Sequence, residues 1–243
     1  GNPSPMQAWA IFLALPQVRQ KLLIEQVFFD NLNTTGIDYN NPLSPYYKQY
    51  ARGYQAIAAL FPAAYGYTAN GLGGSNGANQ LIHTGDLDLR GSTIQTQQGG
   101  SISLLGPGGS ILVGTQQAPP FYVTQASEGI LTLENGNIST FTDQSVEVAQ
   151  SRVMTEQGGN ILMWSSNGNL DAGKGSKTSI SFVPPAFSCD NDFYCTVDAK
   201  GEVTGAGIAV FQSLPNVPVG DANLIAPRGT VDAGAAGIRV SGS

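Results

Sequence analysis

Short stretches in which apolar and polar residues alternate recur along most of this chain. Gly85-Asp86-Leu87-Asp88-Leu89, Ser92-Thr93-Ile94-Gln95-Thr96, Gly100-Ser101-Ile102-Ser103-Leu104 and Gly109-Ser110-Ile111-Leu112-Val113-Gly114 form one series. Glycine, serine, glutamine or proline separates each stretch from the next. The series returns 59 positions on, where Val146 and Val148 stand for Leu87 and Leu89, Gly159-Asn160-Ile161-Leu162-Met163 for the third stretch and Gly168-Asn169-Leu170-Asp171-Ala172-Gly173 for the fourth. Its last two members recur 61 positions further, as Gly220-Asp221-Ala222-Asn223-Leu224 and Gly229-Thr230-Val231-Asp232-Ala233-Gly234. A two-residue period predicts strands, with Leu87/Leu89, Ile102/Leu104, Ile111/Val113, Ile161/Met163 and Leu170/Ala172 on the buried face.

Hairpin signals of the Asn-Gly and Asp-Gly kind are sparse between these strands. Stretches begin seven to nine residues apart, so three of them fill one coil of roughly 22–25 residues, the register of a parallel β-solenoid. One coil cannot bury its own apolar row, whereas coils stacked at about 4.8 Å make a continuous core. An open antiparallel sandwich is the competing arrangement, and the fixed copy spacing argues against it.

Residues 1 to about 70 follow a different rhythm. Ser4-Pro5 reads as a helix cap followed by Met6, Trp9, Ala10 and Leu13; Pro16 opens a second helix that runs to Gly36. Ser44-Pro45 opens a third, with Tyr47, Tyr50, Tyr54, Ile57 and Phe61 along one stripe and Pro62 as its stop. The expected organisation is a helical subdomain over 1–70, a Gly/Asn-rich linker over 71–80, and a solenoid over 81–243. Excursions at 115–127 and 174–205, each with a Pro-Pro pair, leave the coil as surface loops. The fold class is mainly β: a parallel β-helix with the α-helical subdomain packed on it as cap or flank.

Composition narrows the function. Only 12% of residues are charged and 31 are glycine, which suits tight-cornered strands better than helices. The net charge of −6 argues against nucleic acid and against electrostatic anchoring on a membrane. The chain lacks an initiator Met, a signal peptide and a bilayer-spanning apolar run, so it reads as a piece of something larger. Cys189 and Cys195 are too few for a zinc site; they read as a small-loop disulfide in an oxidising compartment, with free thiols as the alternative. His83, the single histidine, has neither a ligand set nor a nucleophile beside it. The acids Asp86, Asp88, Asp171, Asp232 and the pair Asp190/Asp192 are the candidates for catalysis. Asp171 and Asp232 recur within the same Asp-Ala-Gly stretch, where a carboxylate holding a turn is expected. No cofactor is indicated. Leu105, Trp164 and Ile225 follow the inward pairs at the same place in each copy, so alternation turns them outward as a possible interaction column. The expectation is that the helices or the excursions lie over it.

The segments Tyr50-Ala51-Arg52-Gly53-Tyr54-Gln55-Ala56-Ile57, Leu60-Phe61-Pro62, Trp164-Ser165-Ser166-Asn167-Gly168, Asp171-Ala172-Gly173-Lys174-Gly175 and 220–242 resemble, nearly throughout the chain, an uncharacterised domain toward the C-terminal end of filamentous haemagglutinin-type exoproteins of Gram-negative bacteria. The resemblance implies a right-handed β-helical shaft, export through an outer-membrane two-partner-secretion transporter, and residence on the cell surface or in the medium. It further implies adhesion, biofilm formation or contact-dependent competition, with a host glycan or protein receptor or a bacterial exopolysaccharide as partner, and no enzymatic activity. Two alternatives accompany it: a carbohydrate-active β-helix enzyme, and a C-terminal module that controls secretion or surface retention.

Overall fold

The computed structural model describes residues 2–62, 85–115, 128–174, 202–212 and 216–241, together with the backbone of 179–181, 186–189 and 195–198; at 202–204 too it describes the backbone alone. The first coil comprises β1 (Leu87–Asp88), β2 (Thr93–Thr96) and β3 (Ile102–Gly106). The second comprises β4 (Ile111–Leu112), β5 (Gly129–Thr132) and β6 (Ile138–Thr142), and the third β7 (Val146–Glu147), β8 (Arg152–Thr155) and β9 (Ile161–Ser165). β10 (Leu170–Asp171) opens a fourth coil. β11 (Ser179–Ser181), β12 (Ala186–Cys189), β13 (Cys195–Asp198) and β14 (Glu202–Thr204) interrupt it, and β15 (Gly207–Val210) and β16 (Ala222–Ile225) complete it. β17 (Val231–Asp232) and β18 (Ile238–Val240) follow.

Strands of equal rank in successive coils pair in parallel, giving three sheets in the orders β1-β4-β7-β10-β17, β18-β15-β8-β5-β2 and β16-β9-β6-β3. The chain is therefore a parallel β-solenoid. The 59-residue copy turns out to be two coils, since Ile111 lies between Leu87 and Val146 in the first sheet. Every inward residue expected from alternation joins one core with Ile130, Val153 and Ile208. Rows in register such as Ile102, Ile138, Ile161 and Ala222 build that core, because parallel pairing puts like positions directly above one another.

Two devices fix the register at the corners. Asn160 N donates to Asn137 Oδ1 and Asp221 N donates to Asn160 Oδ1, each at 2.8 Å, so a ladder of side-chain oxygens climbs from coil to coil. Beside it Gly100, Gly136, Gly159 and Gly220 form a column so close that a Cβ on any of the later three would meet the carbonyl oxygen of the glycine below. The second excursion departs from expectation. It carries two antiparallel ladders, β11 with β14 and β12 with β13, where a plain loop was predicted. Its Pro184-Pro185, like the segment 116–127, lies outside the described residues.

The helices differ from expectation in their ends. α1 (Pro5–Ala14) starts as expected, with Ser4 and Gln7 forming a reciprocal capping box. α2 (Gln17–Asn40) passes straight through Gly36 instead of stopping there. α3 spans only Ala51–Leu60, since residues 42–48 are turns and a bend and Lys48 takes a left-handed φ of 58°. No helix among the described residues is long and apolar enough to cross a membrane. The helices flank the rod: α2 and α3 lie on the outer face of the sheet made by β3, β6, β9 and β16.

Candidate functional site

The outward column of that sheet has four members, Leu105, Phe141, Trp164 and Ile225, each paired across the ladder with the next. Leu104, Met163 and Leu224 point inward one residue earlier, so simple alternation turns the column out. Trp164 and Phe141 are nonetheless 0% exposed, because Phe28, Phe29 and Leu32 of α2 and Ile57 of α3 pack on them. The expectation that helices cover the column holds for Phe141, Trp164 and Ile225. Leu105, at the end of the row, is 37% exposed and outside that cluster.

The cover is aromatic and edge-on. Tyr50 and Tyr54 approach Trp164 at 6.0 and 5.9 Å between centroids, nearly perpendicular to its ring. Phe28 meets Phe141 edge-on at 5.2 Å and Phe61 stacks on it at 5.3 Å. The indole nitrogen of Trp164 donates to Ser166 Oγ at 3.0 Å, so the ring is buried with its one polar atom satisfied. Tyr50, desolvated and beside Tyr39, has its phenol pushed up to about 12. Burial likewise raises Tyr54, against the pull of Arg228, whose guanidinium sits over its ring. These tyrosines stay neutral at any physiological pH and serve as packing groups.

Two glycines inside helices make the approach possible. A Cβ on Gly53 would run into the benzene ring of Trp164, and one on Gly36 would lie 2.7 Å from Cδ1 of Ile225. Glycine within a helix costs about 1 kcal/mol relative to alanine, and close packing of helix on sheet offsets it here. Sequence reasoning missed Phe141, Gly36 and Gly53. The signal for Phe141 was available: Ile138-Ser139-Thr140-Phe141 matches Ile161-Leu162-Met163-Trp164 once Thr140 is accepted at an inward position. An isolated glycine inside a helical pattern likewise points to a packing reason.

The candidate acids hold backbone in place. Asp171 Oδ1 accepts from Gly173 N and Asp232 Oδ1 from Gly234 N, both at 2.8 Å, and the two aspartates stack in register on adjacent coils. Asp86 Oδ1 accepts from Ser110 N of the next coil at 2.8 Å. The Arg90 guanidinium, 2.6 Å from Asp88, holds that carboxyl down at about 2. Each carboxylate thus has a turn or a ladder as its partner. His83, Asp190 and Asp192 lie outside the described residues. Cys189 and Cys195 stand directly opposite one another in the β12–β13 ladder, where the backbone alone is described.

The chain has a family match over its last third. No curated protein and no solved structure matches it. Residues 158–243, from the close of the third coil onward, match a family described as filamentous haemagglutinin family outer membrane protein.

Proposed function

We propose that this chain is a structural and adhesive segment of a secreted exoprotein, a rod that displays binding surfaces and breaks no bonds. The observation that carries the reading is the fate of its acids: Asp86, Asp88, Asp171 and Asp232 are each committed to backbone amides or an adjacent arginine. A catalytic pair needs one carboxyl freed to exchange a proton, and the role of these acids in holding turns and ladders leaves none of the four free. The family description supports a place at the outer membrane or cell surface. Export would then use a two-partner-secretion transporter, and the ligand would be a host glycan or protein, or the bacterium's own exopolysaccharide. A panel of immobilised glycans, together with that exopolysaccharide, tests the reading. Saturable binding without turnover is expected. Turnover abolished by Asp171→Asn would replace it with a carbohydrate-active enzyme.

The opposed cysteines favour a second role in surface retention. A Cys189–Cys195 disulfide would lock the arm formed by β11 to β14, as expected in an oxidising compartment. Retention of the exported protein at the surface should fall when both cysteines are replaced by serine. Unchanged retention would remove this role and leave the adhesive one standing.

A further inference from the structure

One edge of the seam between flank and rod is polar, and its side chains come from both. The phenol of Tyr50 is hydrogen-bonded to that of Tyr39, whose ring stacks on its own at 4.4 Å between centroids. Tyr54, one turn further along α3, is close enough to oppose ionisation of Tyr50, and its hydroxyl donates to the carbonyl oxygen of Ser166 at 3.4 Å. Two exposed cations border this row of rings. Lys48 Nζ lies 4.5 Å over the Tyr39 ring, and the Arg228 guanidinium lies 5.6 Å from the centre of the Tyr54 ring. Neither is paired with a carboxylate among the described residues, whereas Arg52 spends its charge on Asp38 at 3.1 Å. Both are held in place. Lys48 sits in a left-handed turn, φ 58°, with its N–H donating to the Tyr39 carbonyl at 3.2 Å; a non-glycine residue keeps such a backbone only where its surroundings fix it. Arg228 Nη1 donates to Asn167 Oδ1 at 3.2 Å, and Asn167 Nδ2 donates in turn to the buried Asp143 at 2.9 Å, which fixes the amide.

We infer that this edge binds a carboxylate-bearing glycan, Arg228 and Lys48 receiving sugar carboxylates and the phenols between them receiving ring hydroxyls. The site rests on the adhesive reading above and gives it a place and a ligand class. A cation over an aromatic face keeps its full charge while losing its freedom, so the anion meets a partner already ordered. Arg228 spends one of its five N–H donors on Asn167, and the remaining fork fits a carboxylate in a bidentate pair. The phenols are neutral, and each both donates and accepts, as sugar hydroxyls do. A more densely charged polymer suits the edge less well. Two cations on a chain of net charge −6 do not make the continuous basic tract that nucleic acid or a heavily sulfated chain requires. Lys48 and the three tyrosines belong to the flank, Arg228 and Asn167 to the rod, so docking of one on the other assembles the site.

Titration calorimetry of the 243-residue chain with oligogalacturonate, with α2,8-linked oligosialate and with fully methyl-esterified oligogalacturonate tests the inference. Saturable binding of the uronate, the sialate or both is expected, and which of them binds separates a bacterial exopolysaccharide from a host glycan as the source. Methyl esterification removes the charge and keeps every ring hydroxyl. It should weaken binding about tenfold or more, and so should Arg228→Gln or Lys48→Gln, the worth of one charge-assisted hydrogen bond. Lys48 is held by flank tyrosines alone, so its variant decides the matter should Arg228→Gln disturb the seam. Arg19→Gln, an exposed cation at the other end of α2, should leave the affinity unchanged. Acidic glycans that stay unbound up to about 10 mM, well past a millimolar Kd, would overturn the inference, as would binding that survives esterification or both variants. A neutral glycan bound equally by parent and variants would overturn this site and leave the adhesive reading standing. Failure of every glycan and of the bacterium's own exopolysaccharide to bind would overturn both.

Discussion

The rod and its helical flank hold their order by opposite means. In the rod every contact that matters is made by like positions one coil apart: Ile on Ile, Asn on Asn, glycine on glycine. Loss of one rung is shared with neighbours, as in other stacked repeats. The flank has no repetition to draw on. Its hold on the rod is one seam of single, unlike contacts, Tyr50 and Tyr54 on Trp164, Phe28 and Phe61 on Phe141, Gly36 on Ile225. The lesson is that a solenoid can carry a non-repeating element on its side by making the outward residues of one sheet apolar, while the inward rows keep stacking coil on coil.

The widest separation of the two should come from Trp164→Asp. It strips the centre of the seam and buries a carboxylate where a ring had been, so a loss of about 4–5 kcal/mol is expected in denaturant unfolding. An unchanged melting temperature would mean that the seam does not hold the flank. Gly53→Val aims at the same place from the helix side. Overpacking at a close contact costs about 1–3 kcal/mol, here drawn from helix–rod docking alone. In a Trp9→Phe background the fluorescence of Trp164 should shift to the red at a denaturant concentration where the β-sheet signal is still intact. Coincident transitions would show that flank and rod unfold as one unit.

The rod was legible because its period is written in residues that alternate and recur: Leu87/Leu89, Ile111/Val113 and Leu170/Ala172 all fell where alternation put them. The outward position of Trp164 followed from the same rule, and so did its need for cover. The seam's other half was hidden for physical reasons. Gly36 looks like a helix stop in isolation and Gly53 like a neutral gap in a helical stripe; their meaning lies in a residue more than 100 positions away, which local pattern cannot supply. Residues 45–49 looked helical because Tyr47 keeps the spacing of the tyrosine stripe, yet Tyr47 ends 41% exposed and the chain turns there. The matched family segment, 158–243, contains only Trp164 and Ile225 of the four-residue column.

A pH dependence sharpens the contrast within the rod. Glu156 sits at the corner after β8, where burial lifts its carboxyl to about 7 despite the opposing pull of Arg152. The unfolded chain releases this proton near the ordinary 4.5. A raised acid pKa means that the folded state holds the proton longer, so stability is full below pH 4.5 and declines as pH rises to about 7. The side chain keeps some solvent contact, which brings the loss down to about 1–2 kcal/mol. Glu156→Gln should therefore raise the melting temperature at pH 8 and leave it nearly unchanged at pH 4. Equal effects at both pH values would show that no proton is held there.

The smallest effect tests whether the rod tolerates one imperfect rung. Thr140 occupies an inward position in the row Leu104, Thr140, Met163, Leu224. It is fully buried, and its hydroxyl finds no hydrogen-bond partner among the described residues. A buried hydroxyl without a partner costs about 1–3 kcal/mol by protein mutational data, whereas a methyl in the same space would join the apolar row. Thr140→Val should therefore stabilise the protein by about 1 kcal/mol, read as a higher denaturant midpoint with an unchanged slope. The gain should persist in the Gly53→Val background, because Thr140 faces the core and the seam lies on the other side of the sheet. If the two changes fail to add, the inward and outward faces of the sheet are coupled, and the separation between rod and flank is weaker than their packing implies.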